Sequence, residues 1–232
     1  MTNKHFDTLI REMEFRILLL KVKKALCKDE VKALAFLCTD LLGRNPTSVE
    51  SASALFSRLV DQDHLSPERP HLLTELLLTI QRNRLVHDLS LSEYTTMNLI
   101  SKYRKLLYNL SEEITGEDLK DMKFLLNPTL PRRRLKDNTV STTLEVFLEM
   151  ERTGHLSETN LNELEAIIQS VCPVLKEKIA QFKALPGKIG TFYTSSKADP
   201  GYIRVTFREF TASRLKQKRA GTEMNQCADR KW

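Results

Sequence analysis

The sequence predicts an all-α protein made of two similar helical bundles in tandem. Three observations lead there. The first is an internal repeat: residues 15–38, FRILLLKVKKALCKDEVKALAFLC, return as residues 103–126, YRKLLYNLSEEITGEDLKDMKFLL, in one register and without a gap. Arg16 falls on Arg104, Leu19 on Leu107, Val22 on Leu110, Phe36 on Phe124 and Leu37 on Leu125. Phe56 and His64-Leu65-Ser66 return, after small insertions, as Phe147 and His155-Leu156-Ser157. A repeat of this kind is one structural unit used twice. The second observation is apolar spacing of the helical type, as in Phe15, Leu18, Leu19, Val22 and Leu26. The third is the scarcity of glycine, 7 of 232 residues, which disfavours a turn-rich β fold.

The elements follow in order. The first unit reads as helices over 6–26 and 29–42, a short turn near 47–51, then helices over 52–62, 68–81 and 83–90. The second reads as helices over 94–113, 117–127, 140–152, 158–171 and 173–183. Thr47 and Glu50 fit a capping box, Ser66 an N-cap before Pro67, and Thr115 a start with Glu117 and Asp118 near the positive helix end. Leu99, Tyr103, Leu106, Leu107, Leu110 and Ile114 form the stripe of the second unit's first helix. The loop Pro128 to Arg134, with two prolines and three arginines, stands where the first unit has Gly43 to Pro46. These boundaries place one domain over 10–91, a second over 95–183 and a tail over 184–232. The few residues around Leu91 to Thr95 imply a fixed interface between the units. In the tail, Tyr202 to Phe210 alternates like a strand but has no partner strand, so the tail is expected to be largely disordered.

Composition narrows the function. The net charge is +6, but ten of the 36 basic and four of the 30 acidic residues lie from Ala184 onward, leaving 26 of each in the body. A neutral body with a basic tail lacks the basic face of a folded nucleic-acid-binding domain, and Arg132 to Arg134 read as a solvated loop. The cysteines, Cys27, Cys38, Cys172 and Cys227, have no metal-ligand spacing and imply no disulfide framework. Free thiols without a signal peptide point to the cytoplasm. The run Ile17 to Leu20 is too short to insert into a membrane. No residue set has the form of a catalytic, cofactor or metal site, and His64 and His155 read as structural turn residues.

The candidate function lies on the surface. With each residue turning about 100°, Val31, Leu34, Cys38 and Leu41 share one face of the second helix. Phe36 falls opposite and Leu37 on the flank. In the second unit Leu119, Met122 and Leu126 share the core face while Phe124 again points away. The same misplacement at equivalent positions marks an apolar docking patch. The plainer alternative packs one or both rings under a neighbouring helix or under the other unit. In the fifth helix Leu72, Leu73, Leu76, Leu77 and Ile80 face the core. Leu78 projects away, completing a patch with Phe36 if the two helices are neighbours; the repeat has Ala166 there.

The tandem layout, the two Phe-Leu pairs and the segments LLYNLSEEITGEDLKDMKFLL, SASALFSRLVDQDHLS, LLTELLLTIQRNRL and VCPVLKEKIAQFK resemble tandem death effector domains. That family includes the prodomains of the initiator caspases, nearest here those of caspase-10 and caspase-8, and the FLIP inhibitors. The resemblance covers residues 10–183. It implies two six-helix death-fold bundles packed rigidly together, and homotypic assembly with a FADD-type adaptor and caspase-8- or caspase-10-like prodomains into filaments at death receptors. It further implies that Phe36-Leu37 and Phe124-Leu125 dock into a groove on the next domain. A charge triad of the family joins an acid, Glu30 or Asp118 here, to an Arg-x-Asp-Leu motif. The first unit reads Arg82-Asn83-Arg84-Leu85, with Arg84 in place of the acid, and the second has Ser170-Val171-Cys172-Pro173. The triad is thus incomplete in one unit and absent in the other. None of the cysteines lies in the Gln-Ala-Cys-x-Gly of a caspase. The leading reading is a non-catalytic regulator of death-receptor apoptosis. Two others stand beside it: a short isoform or fragment of a cysteine-protease precursor, and nucleic-acid binding through the tail.

Overall fold

The computed structural model describes residues 2–43, 51–94, 98–130, 135 and 141–185. The capping box at Thr47, the arginines 132–134 and the tail with its Tyr202–Phe210 alternation lie outside these residues. Among the described residues the secondary structure is helical. The first unit holds α1 (Thr2–Ala25), α2 (Lys28–Leu37), α3 (Thr39–Leu42), α4 (Ala52–Asp61), α5 (His71–Thr79) and α6 (Asn83–Asp88). A 3-10 turn, Leu91–Glu93, leads out of it. The second unit holds α7 (Lys102–Ser111), α8 (Gly116–Leu126), α9 (Thr143–Arg152), α10 (Asn162–Val171) and α11 (Lys176–Lys183).

Local chemistry sets the ends. The expected helix 29–42 is two helices. It breaks at Cys38, where the Thr39 hydroxyl turns back and donates to the Phe36 carbonyl at 2.7 Å. Gly43 then closes α3 with a φ of 58°, a left-handed conformation that glycine adopts without a Cβ clash. The expected start at Ser66-Pro67 is also corrected. Ser66 and Arg69 close a tight turn, and α5 begins only after Pro70, because the residue before a proline is held out of the helical region. The first helix of the second unit starts at Lys102 rather than at 94, capped by the Ser101 hydroxyl. The start expected at Thr115 is present: its hydroxyl accepts from Asp118 N–H while the Asp118 carboxylate accepts from Thr115 N–H. Thr142 and Glu145 make the same reciprocal pair at α9.

Each unit buries its own apolar cluster. Val22, Leu34, Leu37, Leu55, Leu59, Leu73, Leu76 and Leu77 are in the first. Leu107, Leu110, Met122, Leu126, Phe147, Met150, Leu164 and Ile168 are in the second. Residues cross between them in both directions. Phe36, on α2 of the first unit, belongs to the cluster of the second, and Tyr108, on α7 of the second unit, belongs to the cluster of the first.

Candidate protein-binding surfaces

The Phe36 ring is only 1% exposed. It does point away from its own bundle, as the helix wheel predicts, but α7 covers it. The guanidinium of Arg104 lies over the ring at 5.1 Å from its centroid, and over Tyr103 at 5.3 Å. An accessible docking ring at Phe36 is therefore corrected to a buried anchor between units. Leu37 is corrected too. At 1% exposed it packs in the first unit's core, since its flank of α2 faces inward.

Arg104 is held on every side. Its side chain is 6% exposed. Nε donates to Asp40 Oδ1 at 2.9 Å and Nη1 to Glu151 Oε2 at 2.8 Å. Burial alone would lower its pKa; the hydrogen bonds and charges of Asp40 and Glu151 outweigh that and raise it. The Tyr103 hydroxyl donates to Glu151 at 2.6 Å, and Ser101 donates to Asp40 at 2.9 Å. Burial and Glu151 push the Tyr103 phenol far above its ordinary range. Two further links cross the boundary. Lys32 donates to Glu145 at 3.2 Å. The buried carboxylate of Glu75 accepts from the N–H groups of Leu99 and Ile100, at 2.7 and 3.3 Å, and pairs with Lys105 at 2.5 Å. A buried ion pair is stable only when its remaining lone pairs and protons find partners, and both Arg104 and Glu75 satisfy that condition.

The repeat partners of these groups have the opposite fate. Phe124, equivalent to Phe36, is 74% exposed, and its neighbour Leu125 is 41% exposed. Arg16, equivalent to Arg104, has a side chain 74% exposed and pairs with Glu12 on its own helix. Beside Arg16 an open groove of about 330 Å³ runs between α1 and α4, floored by Phe15, Leu19, Leu20, Phe56 and Val60. Phe15 and Phe56 are the repeat partners of Tyr103 and Phe147, which share a buried cluster with Phe36.

The remaining candidates separate. Glu30 and Arg82 form a bidentate pair, with Nη2 donating to Oε2 at 2.9 Å, and Glu30 also accepts from Cys27 N–H at 2.8 Å to cap α2. Burial would raise Glu30, yet Arg82 and the Cys27 N–H together hold it below the ordinary carboxylate range. Arg84, in place of an acid, points into solvent and lies 3.9 Å from Asp88. Asp118 caps α8, and Glu113, before that helix, pairs with Lys178. Leu78 is 37% exposed. With Phe36 sealed beneath α7, the patch expected from the two together does not exist.

Sequence reasoning missed Asp40, Glu75, Arg104, Lys105 and Glu151. Arg104 carried the one available signal, a cation at the edge of a strongly apolar helical stripe.

Comparison with known proteins places the fold. The family described as "Death effector domain" matches residues 15–95 and 103–184. Human "Caspase-10" is 35% identical over 179 residues, covering 74% of this chain and 33% of that protein. Human "FAS-associated death domain protein" is 38% identical over 76 residues, covering 32% of this chain and 35% of that protein. The chain thus spans about a third of the length of these curated relatives. The crystal structure of the viral FLIP MC159 superposes with a TM-score of 0.60 at 21% identity, over 72% of this chain and 94% of that one. Two matched segments, the pairing of their bundles and these relatives agree: the chain belongs to the death effector domain family and carries two such domains in tandem.

Proposed function

We propose that this protein acts by homotypic assembly in death-receptor apoptosis, without catalysis of its own. Its partners in this reading are a FADD-type adaptor, caspase-8- and caspase-10-like prodomains, and further copies of itself. The observation that carries the reading is the contrast between Phe36 and Phe124. Inside the chain, α2 of one domain packs against α7 of the next and is tied to its α9 through Lys32 and Glu145. Phe124-Leu125 presents the same anchor with no seat, and the α1–α4 groove presents a seat with no anchor. Two different surfaces that fit one another between copies make a head-to-tail contact, and repetition of that contact gives an open filament rather than a closed dimer. Related domains offering either surface would join the same series. Similarity to caspase-10 and to the FAS-associated adaptor supports that choice of partners.

Co-precipitation with the adaptor and with an initiator caspase prodomain tests the proposal. Phe124→Asp should reduce capture at least ~10-fold, the loss typical of a buried aromatic anchor. It should also abolish filaments seen by negative stain. Unchanged capture and unchanged filaments would reject Phe124 as the anchor. A second reading keeps the assembly but lets it serve a longer cysteine-protease precursor. The partial span of caspase-10 favours it, and the mass of the protein detected in cells decides.

A further inference from the structure

Helix α1 has a second apolar face, which shares Leu20 with the edge of the groove and is separate from the Phe-Leu pairs. Phe6, Leu9, Met13, Ile17 and Leu20 are all exposed. At about 100° per residue they fall within about 80° of one another, directly opposite Phe15 and Val22, which face the core. The stripe runs for about four turns. Its first part, Phe6, Leu9 and Met13, precedes the segment matched to the family, which begins at residue 15. Residues 6 to 9 are exposed on every side of the helix. Most helices in proteins draw their stability from packing an apolar face, and a short stretch without packing is marginal in water. Five large apolar side chains in one stripe exceed the scattered exposure of an ordinary surface.

We propose that this stripe pairs with the same stripe of a second copy, the two α1 helices running antiparallel. The charges choose the partner and the direction. Asp7, Glu12 and Glu14 lie in the N-terminal part of the exposed helix, and Arg16, Lys21, Lys23 and Lys24 in the C-terminal part. Arg11, in the N-terminal part, lies on the core side of the wheel, away from the stripe. An antiparallel pair sets the end holding Asp7 against the end holding Lys21, Lys23 and Lys24 of the other copy and opposes the two helix dipoles. A parallel pair would set like against like. A two-fold axis near Met13 brings Phe6 toward Leu20 of the other copy and Leu9 toward Ile17, so one self-complementary patch closes the dimer. An anionic membrane surface is the poorer occupant, because Glu12 and Glu14 border the stripe on its two sides near its middle and would be repelled.

The contact is small, so the dimer is weak, with a dissociation constant on the order of 10 µM. Sedimentation equilibrium on the full chain carrying Phe124→Asp tests it with the proposed head-to-tail contact removed. A concentration-dependent dimer is expected. Met13→Glu, which places two carboxylates at the axis, should weaken it at least ~10-fold with helicity and melting temperature unchanged. Asp7→Lys and Lys21→Glu should each weaken it, and the two together should restore it. Met13→Cys should give an oxidised covalent dimer that wild-type protein does not form. A monomer at every concentration, or a dimer indifferent to Met13→Glu, would overturn the proposal. So would a monomer whose stripe binds vesicles of phosphatidylcholine and phosphatidylserine.

Discussion

Arg104 of the second domain rests face-on against Phe36 of the first, 5.1 Å from the ring centroid, while Asp40 and Glu151 grip the guanidinium from either side. A ring that would be a docking group on a free domain has become a structural joint. Cation–ring attraction of this kind contributes about 1–2 kcal/mol when desolvated, beyond the burial of the ring itself.

Phe36→Ala should therefore act on stability. A buried phenylalanine truncated to alanine costs about 3–5 kcal/mol. Phe124→Ala, at the equivalent but exposed position, should fall within about 0.5 kcal/mol of wild type. Urea melts of the two variants make the comparison. Equal losses would mean that the rings occupy equivalent environments.

Glu151→Ala removes one of the two acids on Arg104 and the acceptor of the Tyr103 hydroxyl. Removing one partner of a buried pair leaves the other charge uncompensated, so a loss of about 3 kcal/mol is expected. Glu151→Gln retains an acceptor for Tyr103 and should lose less. The double variant with Asp40→Ala should be clearly non-additive, because both acids share one guanidinium. Thermal melts of the four proteins at neutral pH measure the coupling.

Glu30 links stability to acid. Its folded pKa lies below the ordinary value, so between the two values the unfolded chain binds more protons and stability rises with pH. The contribution is complete above the ordinary carboxylate range and is lost as pH falls through the depressed folded value. Glu30→Gln should cost roughly 1 kcal/mol at neutral pH, with the difference from wild type vanishing in acid. Arg82→Ala should match it, whereas Arg84→Ala, whose side chain points to solvent, should not. Urea midpoints measured from acid to neutral pH would show the difference.

Leu78 stands apart from any sealed or open anchor. Leu78→Asp should change capture of death effector partners less than ~3-fold, far below the effect of Phe124→Asp. A pull-down titration with both variants distinguishes a lone exposed leucine from a member of the docking surface.

Much of the architecture was legible in the chain. The unbroken repeat of residues 15–38 at 103–126 announced two like units, and the 3.6-residue spacing made them helical. Thr115 and Asp118 marked the start of α8 because a capping box is a local reaction between side chain and backbone. Helix starts that depended on a following proline, as at Pro70, or on a contact from another unit, as at Lys102, were displaced by several residues. There the decisive partner is distant in sequence, as Glu75 is from the N–H groups of Leu99 and Ile100.

By itself the sequence determined that two phenylalanines sit off the core face of their own helices, because helical periodicity depends only on neighbours along the chain. The tertiary structure alone decided which of them is free. Phe36 is followed by a second domain whose α7 covers it, and no described element covers Phe124. The same division applies to Arg16 and Arg104. A repeat makes two residues chemically equivalent, but their exposure is set by what packs against each, and that information lies in the far half of the chain.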